Sequence, residues 1–556
     1  MDMKRLHSAI AMALVAALVL AVGASAHPER PSKFPNYTGK VPELRTSGPS
    51  RVVCTSTTRR RIQAFRPSVR VRNQALLKRC RYRNIQAAVN AAKNGDRILI
   101  MPGIYFERPS RRVPTPDPRC AGDYTSSERD PARGLSNLGT GIDQAEEGTE
   151  KAPTYAHHRK CPNSLNLIGI VGDRLSDRDR RCDDKCNLQL EGTGQSPRDA
   201  KIIGSRSKEN VIRADRADGI VFTNFMTQFG DFNNIYVHET NGFRNDNLLT
   251  RWGREYGLLS FTSDNGLYED IVGYGTGDSA IYPGSGPQRE RCGDYGIEVR
   301  RVNSFGNTIG HSGTAGDSTF VHDSKFHDNA AGITTDSFAS GHPGMPQDCS
   351  RFENNQIYSN NLNVFNNRRD QYCRSTPPDR RDRRIVCPSF QVPVGTGILI
   401  AGGNGNVVKG NHIYDNWRNG VRQLYVPAAA RGEADPTKQR DTSNRNRYTG
   451  NLMGVRPSGA RDPNGRNPAG GDGYADFWWD EEGVGNCWSA NRGPGGSKPT
   501  TNLFPQKCPV DTADNLETPA GDAMKISTQA PCATWDPEAN SDPPGCDWFN
   551  TPPEPK

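Results

Sequence analysis

A histidine and an aspartate on neighbouring repeats of one chain can move a proton, and an arginine on a later repeat can hold a carboxylate; His311, Asp336 and Arg422 are the candidates here. His311 is expected to serve as base, with Asp336 one repeat later as its partner or as acid. The guanidinium of Arg422 would pair in two-pronged fashion with a carboxylate and damp charge developing beside it. Tyr282, Arg291, Asn366 and Arg368 are the expected ligand-binding side chains, with Arg289, Arg369 and His342 in the same loops.

These residues reach one another only if the chain stacks on itself. From Gly219 onward a small or polar residue repeatedly precedes an apolar one, as in Gly257-Leu258, Gly296-Ile297, Gly332-Ile333, Gly397-Ile398 and Gly420-Val421. Two interleaved columns emerge: Leu258, Ile281, Ile309, Ile333, Val364, Ile398 and Val421, and then Phe243, Leu267, Ile297, Phe320 and Phe352. Their base period is near 23 residues, lengthened by insertions but hardly shortened, which is the signature of solenoid coils that bury their apolar faces only against each other. Asn329, Asn360 and Asn416 each follow an apolar anchor (Phe326, Ile357, Ile413) by three residues, and a stacked amide ladder is expected from them.

The intervals from the second column to the first are nearly constant, whereas those from the first to the second vary. Long loops are therefore expected to leave one edge of the solenoid and wall a groove. Ahead of the repeats, Ile85, Ala88, Val89 and Ala92 have helical spacing, Gly95 stops the helix, and Arg97 to Met101 reads as a strand. That helix would cover the first coil's exposed core layer.

The opening IQAAVNAAKNGDRILIMPGIY and the repeated GI, NNI and HDN units resemble the pectate-lyase-like superfamily over roughly residues 83–426. The resemblance implies an all-β, right-handed parallel β-helix, and proteins that serve as lyases, hydrolases, epimerases or non-catalytic surface proteins. It implies a polysaccharide partner, and the cationic loops point to an acidic one. The catalytic signatures of the known branches are missing: there is no NTD, no DD inside the repeat, no RIK, no WIDH, and no DPH after Tyr295-Gly296. Two readings follow, a polysaccharide lyase or glycoside hydrolase, and a non-catalytic binding or adhesion protein.

Lys4 and Arg5, the apolar run Ala9 to Val22 and the triplet Ala24-Ser25-Ala26 have the layout of a cleaved secretory signal over 1–26, so a secreted, extracellular chain without a membrane span is expected. With 34% hydrophobic residues, 57 Gly and 40 Pro, a helical bundle is excluded and short strands with frequent turns are favoured. Fourteen cysteines in such a chain read as disulfides. Neighbour pairing would join Cys54 to Cys80, Cys120 to Cys161, Cys182 to Cys186, Cys292 to Cys349, Cys373 to Cys387, Cys487 to Cys508 and Cys532 to Cys546.

No metal motif is present; Cys182-Asp183-Asp184-Cys186 lacks a second ligand pair for zinc, and Ca2+ has no loop of its own. No cofactor is expected, nor a nucleic-acid partner, and the chain is read as a monomer. The net charge of +9 favours acidic partners only weakly. The excursion RRDQYCRSTPPDRRDRRIVC, from Arg368 to Cys387, reads as a basic flap for a polyanion. Outside the β-helix, 27–82 is an N-terminal extension and 427–556 a loop-rich region with cysteines and Trp, where Phe477-Trp478-Trp479 is expected to cap the open end.

Overall fold

The structure is a computed structural model that describes residues 32–35, 39–111, 155–172, 181–338, 342–377, 380–426, 438, 443–465, 474–501, 503–509, 521–529, 531–532, 535 and 542–555. The expected signal over 1–26, Cys120 and most of the loop 111–159 lie outside the described residues.

The chain winds through three parallel sheets. Sheet A has thirteen described strands from Ser50–Val53 to Gln506–Lys507, sheet B ten from Gly103–Tyr105 to Leu452–Met453, and sheet C ten from Asn166–Val171 to Ala475–Trp479. Each coil runs C, A, B and back to C, as in Asn233–His238, Asn241–Asp246, Leu249–Arg251 and Tyr256–Phe261. Strands of successive coils lie about 4.8 Å apart. This is a right-handed parallel β-helix. The sheets extend on both sides of residues 83–426.

One interior row on sheet C reads Ile212, Ile235, Leu258, Ile281, His311, Ile333, Ile398, Val421 and Phe477 in pairing register. Two expectations shift here. Ile309 pairs with Ser279 and Ala331, so His311 takes its place in the row. Val364 lies in an insertion, and Ile398 stacks directly on Ile333. On sheet A, Phe243 and Ile297 share one interior row and Phe352 another, while Leu267, Glu298 and Phe320 follow one another in a row on the outward face. The period was legible, but its phase moves where loops enter.

The Gly-apolar pairs have a steric cause. A Cβ on Gly310, Gly332, Gly397 or Gly420 would lie 2.5–2.7 Å from the carbonyl oxygen of the next coil, at Gly332, Gly397, Gly420 and Asp476. Where sheet C begins, the coils approach too closely for a side chain.

The amide ladder is present. Asn307, Asn329, Asn360, Asn416 and Asn464 are joined by side-chain amide to side-chain carbonyl bonds of 2.9–3.0 Å. A second ladder, Asn355, Asn411, Asn451 and Asn491, turns the corner between sheets A and B. That corner is two residues long, and its first residue is left-handed, at Asn224 (φ 56°), Asp270 (φ 53°) and Asn354 (φ 55°), types that tolerate this region.

The helix Ile85–Ala91 buries Ile85, Ala88 and Val89 in the main core against the first strands. The Glu107 carboxylate accepts its first two free amides, Ile85 N at 2.8 Å and Gln86 N at 3.1 Å. At the far end Phe477, Trp488 and Phe504 close the core. Six of the expected disulfides are formed: Cys54–Cys80, Cys182–Cys186, Cys292–Cys349, Cys373–Cys387, Cys487–Cys508 and Cys532–Cys546. They fit maturation in an oxidising compartment. No described helix is long and apolar enough to cross a membrane.

Candidate functional site

The loops 285–296, 312–318, 337–350 and 425–446 all leave sheet C for sheet A, the edge the spacing indicated. The excursion 359–395 departs from that expectation, because it leaves between sheets B and C. Sheet C is thus flanked by insertions on both sides. Its upper coils are covered: Leu399, Ala401, Leu424 and Trp478 on the outer face pack with Val364, Phe365, Trp535, Trp548 and Phe549 from the excursion and the C-terminal region.

The expected site residues are scattered by this arrangement. His311 points into the core, its ring edge-on to Phe326 and Phe352 at centroid distances of 5.9 and 6.1 Å, and burial drives its pKa down to about 3. Asp336 ends the strand Ala331–Asp336, accepting a bond from the Thr314 hydroxyl at 2.6 Å; burial pushes it up to about 6. The two do not meet. Arg422 lies 4.0 Å over the Trp478 ring and donates to Asn419 and Gln529 beneath the C-terminal region, its pKa lowered to about 10 by burial.

Tyr282 faces outward on sheet C, 5.0 Å from the Tyr256 ring, but is buried in an aromatic cluster. Arg291 is exposed in the first loop. Asn366 is exposed in the excursion, donating to the Asn363 carbonyl at 2.9 Å. Arg368 and Arg369 sit in the helix Asn367–Ser375, and their side chains lie outside the described residues. The basic flap is tied down rather than free: Arg374 pairs with Asp542, and the Arg383 guanidinium donates to the Phe229 carbonyl and lies 3.6 Å from Asp231.

What the fold does assemble is a polar cluster on the outer face of sheet C, two coils below Tyr282. Arg213, Tyr236, Leu259 and Tyr282 form one outward row, and Asp215, His238 and Phe261 the next. The Arg213 guanidinium donates to Asp215 at 2.9 Å and meets His238 Nδ1 at 2.8 Å, with its carbon 4.8 Å over the Tyr236 ring. His158 Nδ1 lies 3.3 Å from Asp215, and Ser32 Oγ lies 2.6 Å from His238 Nε2. A guanidinium only donates, so His238 Nδ1 accepts and Nε2 carries the proton toward Ser32. That tautomer cannot take the Ser32 proton, so the trio is no nucleophilic triad. The signal was present in the sequence: Arg213, Tyr236, Leu259 and Tyr282 are spaced by 23 residues each, within the alternating strands IRAD, IYVH, LLSF and IYPG.

Beside this cluster a cleft of about 980 Å³ opens on the loop edge, lined among others by Phe34, Asp264, Gln288, Arg289, Asp294 and Tyr295. Arg289 is paired with Asp264. The Tyr295 ring stacks on Phe320 at 5.0 Å, and Gln288 donates to the Met345 carbonyl at 3.1 Å. The disulfide Cys292–Cys349 fastens the first loop to the third. The His342 ring lies 5.3 Å from Phe261, tilted to it, next to Pro343 of the lining, and Ser32 on His238 is two residues from Phe34. Cleft and cluster are thus neighbours.

No protein-family model matches the chain, and no curated protein matches it in sequence. Among solved structures it is similar to the A-module of mannuronan C-5 epimerase AlgE4 from Azotobacter vinelandii, at 11% identity and TM-score 0.40 over 76% of this chain and 94% of that one. A tailspike protein of E. coli bacteriophage HK620, in complex with a pentasaccharide, matches at 11% identity and TM-score 0.38 over 77% and 61%. Pectate lyase Pel9A matches at 12% identity and TM-score 0.32 over 85% and 93%. The parallel β-helix itself is shown by the three parallel sheets of this chain.

A metal could be sought at Asp246, Glu269 and Asp270, whose carboxylate oxygens lie within 4.8 Å of one another. Arginines already serve two of them: Glu269 is paired with Arg244, Arg300 and Arg301, and Asp270 with Arg301, while Asp246 accepts from the Thr223 hydroxyl. This β-helix neutralises its acidic corner with its own side chains.

Proposed function

We propose that the protein is a secreted β-helix that holds a polysaccharide chain in the cleft between its first and third loops. The observation that carries this reading is the lining: two aromatic rings, two amides, a guanidinium and two carboxylates in one open cleft of about 980 Å³, fastened by a disulfide. Rings and planar polar groups on a rigid scaffold suit the mixed apolar and hydroxyl faces of sugars. Asp264 and Asp294 outnumber Arg289, so the cleft itself supplies no positive excess. The subsite therefore selects hydroxyls rather than acid groups.

Calorimetric titration with neutral and uronic oligosaccharides tests the reading. Binding that weakens about tenfold, or about 1.4 kcal/mol, in Gln288→Ala is expected. Binding unaltered by substitutions at Phe34, Gln288 and Arg289 excludes the cleft.

A second reading is cleavage of the bound chain, for which Asp264 and Asp294 of the cleft lining are the available carboxyl groups. Ultraviolet absorbance from an unsaturated uronate would mark elimination, and new reducing ends without it hydrolysis. With neither product, binding alone stands.

A further inference from the structure

The positive charge of this protein is concentrated in one place. Residues 58–83 hold nine arginines and Lys78, with no Asp or Glu. Without these ten, 61 Lys and Arg face 62 Asp and Glu in the rest of the chain. The segment's charge of +10, against −1 for the rest of the chain, therefore accounts for the net +9.

The fold displays it. The helix Pro67–Lys78 lies against the outer face of sheet A at its first coils, burying Leu76 with Val52, Leu99 and Met101. Asn73 donates to the Thr193 carbonyl at 2.8 Å, and Cys54–Cys80 fastens the helix end to the first strand. Arg59, Arg60, Arg66, Arg72, Lys78, Arg79, Arg81 and Arg83 are exposed. Among the described residues only Arg72 of the ten is in an ion pair, with Glu191 at 2.8 Å. Unpaired like charges held together at this density repel one another, a cost that a polyanion would relieve.

We propose that this N-terminal cap is a docking surface for a linear acidic polysaccharide, separate from the cleft. Nine of the ten cations are arginine, whose planar fork matches carboxylate or sulfate oxygens in pairs. The segment's aromatic rings do not form a platform for nucleobases, since Phe65 is buried and Tyr82 half-buried. Val71 is its one exposed large apolar side chain, too little to insert into a bilayer. The surface is therefore built for charge on a flexible, hydrated chain. Four strand spacings along sheet A, about 20 Å, separate the strand Arg97–Ile100 from Asp264–Glu269 at the cleft, so one polymer can touch both places. The proposal stands without the cleft, because docking needs the cap alone.

The test measures binding of the whole secreted chain to polygalacturonate, heparin and neutral dextran at rising salt. One variant carries Arg59→Gln, Arg60→Gln, Lys78→Gln and Arg81→Gln. A control carries Arg380→Gln, Arg384→Gln, Arg447→Gln and Lys507→Gln, the same change in charge placed elsewhere. The expected result is retention on one or both acidic polymers but not on dextran, weakened about 100-fold in the cap variant and less than about threefold in the control. Retention on polygalacturonate alone assigns carboxylate as the recognised group, and on heparin alone sulfate. Equal loss in both variants overturns the proposal, as does binding of duplex DNA or phosphatidylserine vesicles as tight as that of the acidic polymers. Hydrogen exchange on the unaltered protein gives an independent answer: protection on adding the polymer should fall on residues 58–83, and protection confined to other coils overturns it.

Discussion

Ser32 Oγ lies 2.6 Å from His238 Nε2, a bond between residues 206 positions apart that fixes the N-terminal strap to the outer face of sheet C. The strap is held again one residue on, where Lys33 N donates to Glu239 Oε1 at 2.8 Å. Losing the Ser32 hydroxyl removes a single bond, whereas losing the His238 ring also strips the buried Arg213 guanidinium of an acceptor. Ser32→Ala should cost about 1 kcal/mol and His238→Ala about 2–3 kcal/mol. Thermal unfolding of the two variants decides this, and equal, negligible losses would show that the strap is not held here.

The close approach of coils where sheet C begins makes a sharper case. Gly332→Ala would put a methyl 2.6 Å from the Gly397 carbonyl oxygen and 2.7 Å from the Ile357 side chain. Neither a backbone oxygen nor a packed core residue can give way, so a loss of at least about 2 kcal/mol is expected. Gly450→Ala serves as the comparison, because nothing lies within 4 Å and only its left-handed φ of 66° resists. It should cost about 1–2 kcal/mol. Unfolding temperatures in the reverse order would refute the steric account of the Gly-apolar repeat.

The fold was legible because stacking writes itself into the text: a 23-residue period, a small or polar residue before many inward ones, and Asn at a fixed offset. The site was less so. Each insertion lets the phase drift, and a drift of two residues between Ile309 and His311 preserves an apolar-looking column while turning a histidine from the groove into the core. Arg422 lies on the outer face of sheet C, yet nothing near it in the sequence announces that Gln529 and Trp548, over a hundred residues on, cover that face. Arg213 and His238 were missed for a different reason. They flank the first regular coils, ahead of the column's chosen start at Leu258, although their spacing was as regular as any that followed.

His311 carries a pH prediction of definite sign. Its folded pKa of about 3 lies below the ordinary histidine value because the core excludes charge. The unfolded chain therefore binds a proton that the folded one refuses. His311 costs nothing above about pH 6.5, and stability falls by about 1.4 kcal/mol per unit as pH drops from there toward 3. His311→Leu should flatten the acid limb of a plot of unfolding temperature against pH between 4 and 7. An unchanged limb would place the titrating group elsewhere.

Asp278 acts in the opposite direction. Burial raises its carboxyl to about 7, against the Tyr256 hydroxyl that donates to it at 3.0 Å. A carboxyl raised on folding contributes stability that is complete below its unfolded value near 4 and is lost as pH rises through about 7. Asp278→Asn keeps an acceptor for Tyr256 without a charge to bury, so the variant should hold its stability from pH 4 to 8 while the unaltered protein declines. The neighbouring Glu255, also raised well above its ordinary range by burial with Asp278 among the contributing charges, should ease once Asp278 is gone. A double variant with Glu255→Gln should therefore gain less than the two single changes added together. Full additivity would mean that the two carboxyls, one coil apart, do not sense each other.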